Sequence, residues 1–445
     1  VTTVADNELM TRIAPGTPAG TLLREYWQPA ALSVELDPAR PVLGLRLLGE
    51  ELVLFRDGRG QLGLMERGCP HRGADLCFGR LESGGLRCPF HGWLFDVRGH
   101  CLEQPAEPAE SRAHHHLRHR SYPCAEHSGI IFAYLGKGSP PAFPAFDCFR
   151  APDPQTFAFK GLWDCNWLQA LEVGIDPAHA SFLHRFLEDE PVDTAYGRQF
   201  RDAAADGGAP LTQILREYPR PEIRTEDTNF GFRLVTTRAL DGQRMHYRIT
   251  NLVFPNAIVI PMSNEMTITQ WHVPIDDLCC YWYAIFTSFG AAVDRETMRQ
   301  QRLANHALPS YRPKVGRADH WGFNPAEQRS RTYTGMGTDI NVHDQWAVES
   351  PGPIVDRSKE HLGRSDVGII RYRKLLHSAL QSAQRGNSAP FVFDATTAAT
   401  VTGPVAVDAI GPAGESTDLW LQRDRERRER CAWARPEDPG PSSDA

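Results

Sequence analysis

The strongest constraint on this chain is a pair of short loops, Cys69-Pro70-His71 and Cys88-Pro89-Phe90-His91-Gly92-Trp93, with sixteen residues between His71 and Cys88. Each loop delivers one thiolate and one imidazole. Four such ligands can hold a tetrahedral zinc ion, or they can divide between the two irons of an iron–sulfur cluster, the cysteines on one iron and the histidines on the other. The second arrangement requires each loop to offer one ligand of each kind, and that is how the residues fall. Pro70 and Pro89 stiffen the loops directly after their cysteines, while Gly73, Gly84, Gly85 and Gly92 permit tight turns around a bound group. The motif predicts a two-iron, two-sulfide centre, which moves single electrons and performs no organic chemistry itself.

Imidazole ligation of one iron is the Rieske arrangement, and it raises the reduction potential to roughly −150 to +300 mV. The rest of the chain is large enough to hold an electron acceptor: 445 residues, 41% hydrophobic, imply two or three domains. No apolar run reaches the length of a membrane span, and Val1 to Asp6 lack the basic and apolar regions of a leader, so a cytoplasmic protein is expected. A net charge of −7 gives no reason to expect nucleic acid or a membrane as partner, which favours small-molecule chemistry. Of ten cysteines, Cys77, Cys101, Cys124, Cys148, Cys165, Cys279, Cys280 and Cys431 read as reduced, mostly buried small hydrophobes.

The pattern along the chain predicts an α+β protein. Residues 1–42 read as a helical arm on the catalytic domain, with amphipathic stretches at 7–13 and 21–27 separated by Pro15-Gly16-Thr17-Pro18. Residues 43–148 read as a small antiparallel β domain with the cluster at two hairpin tips; Asp57-Gly58 is a hairpin turn, and the His114-His115-His116 region a solvated loop. Ser139 to Pro144 read as an extended linker. Residues 149–410 read as a larger catalytic domain, an antiparallel sheet from 231–237, 247–253, 258–260, 266–273 and 279–286 packed by helices, with a mobile loop at 203–212. Residues 411–445 read as a frayed tail.

A second chemical stretch lies at Glu172-Val173-Gly174-Ile175-Asp176-Pro177-Ala178-His179-Ala180-Ser181-Phe182-Leu183-His184. Gly174 and Pro177 break one helix and start another, with Asp176 suited to cap it. His179 and His184 are five apart, about 140° around an ideal helix, so they converge on one ion only if the helix loosens or ends before His184. Two histidines and a carboxylate form the facial triad of a non-haem iron(II) site that leaves positions open for dioxygen. Asp344 and Asp339 are both candidates for the carboxylate.

With both sites in view the chain resembles the large (α) subunit of Rieske non-haem iron ring-hydroxylating oxygenases. The resemblance rests on the cluster motif, on Glu172, Asp176, His179 and His184, and on a late aspartate, and it is greatest to phthalate dioxygenases, through Pro15 to Pro18, Asn166 to Glu172, and Asp356 to Asp366. It implies Cys69, His71, Cys88 and His91 as cluster ligands, and His179, His184 and Asp344 as iron ligands. It also implies head-to-tail homotrimers, alone or stacked, in which Asp176 bridges His179 and a cluster histidine, His91, of the neighbouring subunit. Electrons would come from NADH through a separate flavin/iron–sulfur reductase. The implied reaction is cis-dihydroxylation of a phthalate-like aromatic acid, with O-demethylation or monooxygenation of a methoxylated acid as the alternative and a simple electron carrier as a remote one. An anionic substrate calls for a cation, and Arg248 is the first candidate, followed by Arg233 and Arg238.

Overall fold

A computed structural model describes residues 2–108, 110–111, 113–188, 210–413 and 418–435. Most of the loop expected at 203–212 and the Pro/Ser-rich end therefore lie outside the described residues.

The amino-terminal arm is not purely helical. Helix α1 (Val4–Thr11) starts at a reciprocal cap between Thr3 and Asp6, and α2 (Pro18–Arg24) at Thr17 with Pro18 in its first turn. Both begin three residues before the expected stretches, α1 because Thr3 and Asp6 cap it and α2 because Pro18, expected as a breaker, sits where its missing N–H costs nothing. Next comes strand β1 (Gln28–Leu32), fully buried and paired with β11 (Ile130–Ala133), which also pairs with β10 (Cys124–His127). Tyr283 donates to Ala30 O at 2.9 Å and Asn256 to Gln28 Oε1 at 2.8 Å, so this three-stranded sheet is pinned to the large sheet.

The small domain holds two four-stranded antiparallel sheets. One runs β2 (Val42–Leu47), β3 (Glu50–Arg56), β4 (Leu62–Glu66), β9 (Ser121–Tyr122); the other β5 (Arg80–Glu82), β6 (Gly85–Arg87), β7 (Leu94–Phe95), β8 (Cys101–Glu103). Asp57 closes the β3–β4 hairpin by accepting from Arg59 N and Gln61 N. A core of Val53, Phe55, Met65, Leu76, Leu86 and Phe95 includes Cys69 and Cys88. His119 departs from the expected solvated loop: it is buried against Phe95 and donates to Glu66 O at 2.7 Å.

The larger domain is built on an eight-stranded antiparallel sheet. All five expected strands are present, as β14 (Gly231–Ala239), β15 (Arg244–Val253), β16 (Ala257–Pro261), β17 (Met266–Pro274) and β18 (Cys280–Ser288). They are joined by β12 (Thr156–Trp163), β13 (Glu222–Thr228) and β19 (Val407–Pro412), in the order β12-β18-β17-β16-β15-β14-β13, with β19 on the first half of β15. One face carries Phe232, Leu234 and Leu252 against helices α3 (Trp167–Gly174) and α6 (Val367–Gln384); the other carries Val235, Ile249 and Val407. Leu234 lies against Gly368 of α6, where a Cβ would meet it at 2.7 Å.

The segment after 411 is not frayed throughout. Helix α7 (Asp418–Arg430) docks Trp420 on the second face of the sheet, and its Arg428 forms a two-pronged ion pair with Asp147 at 2.6 and 2.9 Å. The run Arg423 to Arg430 falls within the expected tail, and it packs through Arg428 on the buried Asp147 and Arg427 on Ala406 O.

Candidate metal centres

The two cysteine loops are near copies of each other. Cys69 N donates to Ala74 O and Cys88 N to Trp93 O, both at 2.8 Å, while Gly73 N and Gly92 N return to the carbonyls of Cys69 and Cys88. Gly73 and Gly92 have φ of +75° and +76°, a left-handed conformation that lets each loop close after its histidine. The second loop caps the β6–β7 hairpin, as expected; the first follows β4 and is braced by a bidentate Arg67–Asp75 pair at 2.6 and 2.9 Å. That hydrogen bond, against the opposing effect of burial, holds the Asp75 carboxyl down to about 2.

The side chains of the two loops pair by type, histidine beside histidine and cysteine beside cysteine. His71 and His91 have ring centroids 4.4 Å apart, and Trp93 stacks on His71 at 4.4 Å with its plane tilted by 7°. Cys69 and Cys88 are buried neighbours; burial, and then the nearby Cys88, push the Cys69 thiol up to about 11. His71 Nδ1 is buried with no hydrogen-bond partner among the described residues, which leaves it available to a metal. This donor set fits a cluster with two thiolates on one iron and two imidazoles on the other.

The second centre forms because the chain turns where the sequence breaks. Helix α3 ends at Gly174, Asp176 Oδ1 accepts from Ala178 N at 2.9 Å, and α4 is a single turn, Ala180–Leu183. His179 precedes that turn, and His184 follows it with φ −101° and ψ 18°, no longer helical. Ending the helix before His184 removes the 140° divergence. Their Nε2 atoms lie 3.2 Å apart.

Asp344 comes from helix α5 (Ile340–Glu349). Its Oδ1 lies 3.3 Å from His184 Nε2 and 3.8 Å from His179 Nε2. Asp339, the other candidate, is the N-cap of α5, accepting from Asn341 N at 2.9 Å, and Asn305 donates to it as well. His179 Nδ1 donates to the backbone carbonyl of Asp176, which leaves Nε2 as a lone-pair atom. Asp344 Oδ1 is buried without a well-directed donor. Burial favours the neutral Asp344 acid, but His184, His179 and His343 override it and hold the carboxyl low, while burial lowers His179. Acceptors gathered this closely repel one another unless a cation sits among them, and the set His179, His184, Asp344 suits non-haem iron.

The carboxylate of Asp176 does not take the His179 proton. It is folded into its own turn, with Oδ2 at 4.0 Å from His179 Nδ1, and the backbone carbonyl does that work. His343, which no motif singled out, lies with Nδ1 3.5 Å from His184 Nδ1 and Nε2 2.9 Å from Gly337 O. Its one sequence signal is that it directly precedes Asp344.

The three arginines separate by strand register. Thr236 pairs with Arg248 and Arg238 with His246, so these four share the face of Leu234, toward the helices. Arg233 is on the opposite face, over the ring of Trp420 at 4.6 Å and 3.4 Å from Glu226. Arg248, the first candidate, is committed to Asp408 and to Pro261 O, because β19 brings a carboxylate opposite it that no local pattern foretells. Arg238 is the one that reaches the metal segment: it is buried, with Nη2 3.4 Å from Ser181 Oγ and 3.5 Å from Pro177 O. Its Nη1 has no hydrogen-bond partner among the described residues. Burial, then Arg248, pull this guanidinium down to about 10, still cationic at neutral pH.

Residues 26–123 match the model of the Rieske [2Fe-2S] domain, and residues 133–413 match that of the LigXa C-terminal domain like family. The chain is 35% identical to the tert-butanol monooxygenase / tert-amyl alcohol desaturase oxygenase subunit of Aquincola tertiaricarbonis, over 83% of this chain and 75% of that one. It is 32% identical to the phthalate 4,5-dioxygenase oxygenase subunit of Pseudomonas putida, over 87% and 88%. The fold is that of dicamba monooxygenase bound to 3,6-dichlorosalicylic acid, with a TM-score of 0.57 at 18% identity, covering 82% of this chain and 100% of the other. The paired Cys/His loops, the large antiparallel sheet and these relatives agree: the chain belongs to the Rieske oxygenase large (oxygenase) subunits, with a C-terminal domain of the LigXa type.

Proposed function

We propose that this oxygenase component binds a mononuclear iron(II) through His179, His184 and Asp344 and hydroxylates a phthalate-like aromatic carboxylic acid, by cis-dihydroxylation. Iron(II) in that site would supply dioxygen activation, with electrons drawn from the cluster held by Cys69, His71, Cys88 and His91. The observation that carries the substrate class is Arg238. A buried guanidinium whose Nη1 has no partner among the described residues, beside the turn that separates His179 from His184, suits a carboxylate. Thr236 and Thr250, on the same sheet face, have buried hydroxyls without partners among the described residues and can complete the polar wall.

Other finer features belong to the same proposal. An NADH-dependent flavin/iron–sulfur reductase supplies the electrons. Phe78 and Phe90 are 72% and 54% exposed beside the cluster loops, as suits a docking surface. The chain would act as a head-to-tail homotrimer in which the Asp176 carboxylate, not consumed by His179, reaches His91 of a neighbouring copy. No helix among the described residues is long and apolar enough to cross a membrane, and a cluster held by thiolates suits a reducing, cytoplasmic setting.

A single turnover tests this reading. Chemically reduced, iron-loaded protein is mixed with oxygen and a panel of phthalate-like and methoxylated aromatic acids, and products are weighed by mass spectrometry. A product heavier by two oxygens and two hydrogens is expected. Loss of CH2 with release of formaldehyde would move the assignment to O-demethylation; turnover of a tertiary alcohol but of no acid would favour monooxygenation of the kind named for the Aquincola relative. Arg238→Gln should weaken binding of the acid by about 1.5–3 kcal/mol, roughly 10- to 100-fold in KM. An unchanged KM would remove Arg238 from substrate binding.

A further inference from the structure

We propose that His343 is a positioning residue that sets the tautomer of His184 and so aims a lone pair at the mononuclear metal. The inference rests on the iron reading above. His343 is fully buried in the first turn of α5, and its Nε2 lies 2.9 Å from the carbonyl of Gly337. A carbonyl only accepts, so Nε2 carries the proton and Nδ1 of the neutral ring is left as an acceptor. That Nδ1 lies 3.5 Å from Nδ1 of His184, with the two rings stacked at 5.7 Å and 22°. His184 therefore keeps its proton on Nδ1 and presents a bare Nε2 to His179 Nε2 and Asp344 Oδ1.

The anchor of this relay is itself fixed. Gly337 has φ +76°, and its N–H is held by Glu327 Oε1 at 2.9 Å. Asp339 caps α5 two residues later, so the carbonyl and the histidine are locked in one register. The two imidazole ligands are thus oriented by different means: His179 by the carbonyl of Asp176 and His184 by a second imidazole. Partners of this kind fix ring orientation and raise ligand basicity, and their loss typically costs about 10- to 100-fold in metal affinity.

The test compares His343→Leu, which fills the space without an acceptor, with His343→Gln, whose amide can donate to Gly337 O and accept from His184 Nδ1. Fe(II) affinity is measured on full-length, cluster-loaded protein by chelator competition, alongside the cluster's electron paramagnetic resonance signal and the thermal midpoint. We expect the Leu variant to bind Fe(II) about 10- to 100-fold more weakly, the Gln variant to recover most of that loss, and the cluster signal to stay unchanged in both. Wild-type affinity in the Leu variant would overturn the inference, and so would equal losses in both variants accompanied by a fallen thermal midpoint. Wild-type protein that takes up no Fe(II) beyond its cluster would overturn the iron reading itself.

Discussion

Asp344→Ala should leave the cluster and the fold in place, strip the mononuclear metal and end oxygenation. Asp344 is the only carboxylate close to both His179 Nε2 and His184 Nε2 among the described residues that could hold a metal, and it is the only anionic ligand in the set. Losing an outer hydrogen-bond partner of a ligand already costs about 10- to 100-fold in metal affinity, so losing the ligand itself should cost at least the upper figure. The cluster lies in another domain with its own core, so the reduced-cluster signal should be that of the wild type. Metal analysis and a single-turnover assay on the same sample check both halves. Iron retained in the variant beyond the two of the cluster would move the carboxylate role elsewhere, and a lost cluster signal would show that the domains are not separable in this way.

Glu172→Ala should destabilise the catalytic domain by about 3–5 kcal/mol, the usual consequence of leaving buried cations unpaired. Glu172 lies on α3, one turn before the metal segment, and its carboxylate accepts from Arg373 Nε at 2.6 Å and Nη2 at 3.0 Å, and from Arg357 Nη2 at 2.9 Å. Arg357 is fully buried and donates onward to Asn7 in α1; Arg373 is also paired with Glu360. One carboxylate thus ties the arm, α3, α6 and the 356–360 segment together. Burial would raise the Glu172 acid, but Arg357 and Arg373 override it and hold it below its ordinary value. A lowered folded-state value stabilises above the unfolded carboxyl range, near pH 4.5, and that contribution is lost as pH falls through the folded value. Denaturant unfolding of wild type and variant should therefore differ most near neutrality and converge in acid. A difference under about 1 kcal/mol at neutral pH would contradict a central role for the network.

The candidate metal ligands stand out in the sequence because metal chemistry restricts residue type and spacing. The Cys-x-His and Cys-x-x-His loops specify their own turns, and Gly174, Pro177 and the five-residue spacing of His179 and His184 announce a broken helix. In the sequence only the resemblance distinguishes Asp344 from Asp339; the structure gives Asp339 a capping role. What local pattern could not show is long-range pairing. Arg248 became a structural ion pair because β19, some 160 residues away, lies beside β15. The same blindness hid β1 inside a presumed helical arm, and α7 behind a run of arginines whose partner, Asp147, is distant in sequence. His343 has only its place beside Asp344 as a sequence signal, and its role depends on the spatial neighbours His184 and Gly337.

The most direct test of the central claim, that His179, His184 and Asp344 hold an oxygen-activating iron separate from the cluster, is electron paramagnetic resonance of reduced protein exposed to nitric oxide. The account predicts a high-spin iron–nitrosyl signal beside the reduced-cluster signal in the wild type, and loss of the nitrosyl signal alone in Asp344→Ala. A wild-type spectrum containing only the cluster, in protein supplied with iron(II), would contradict it.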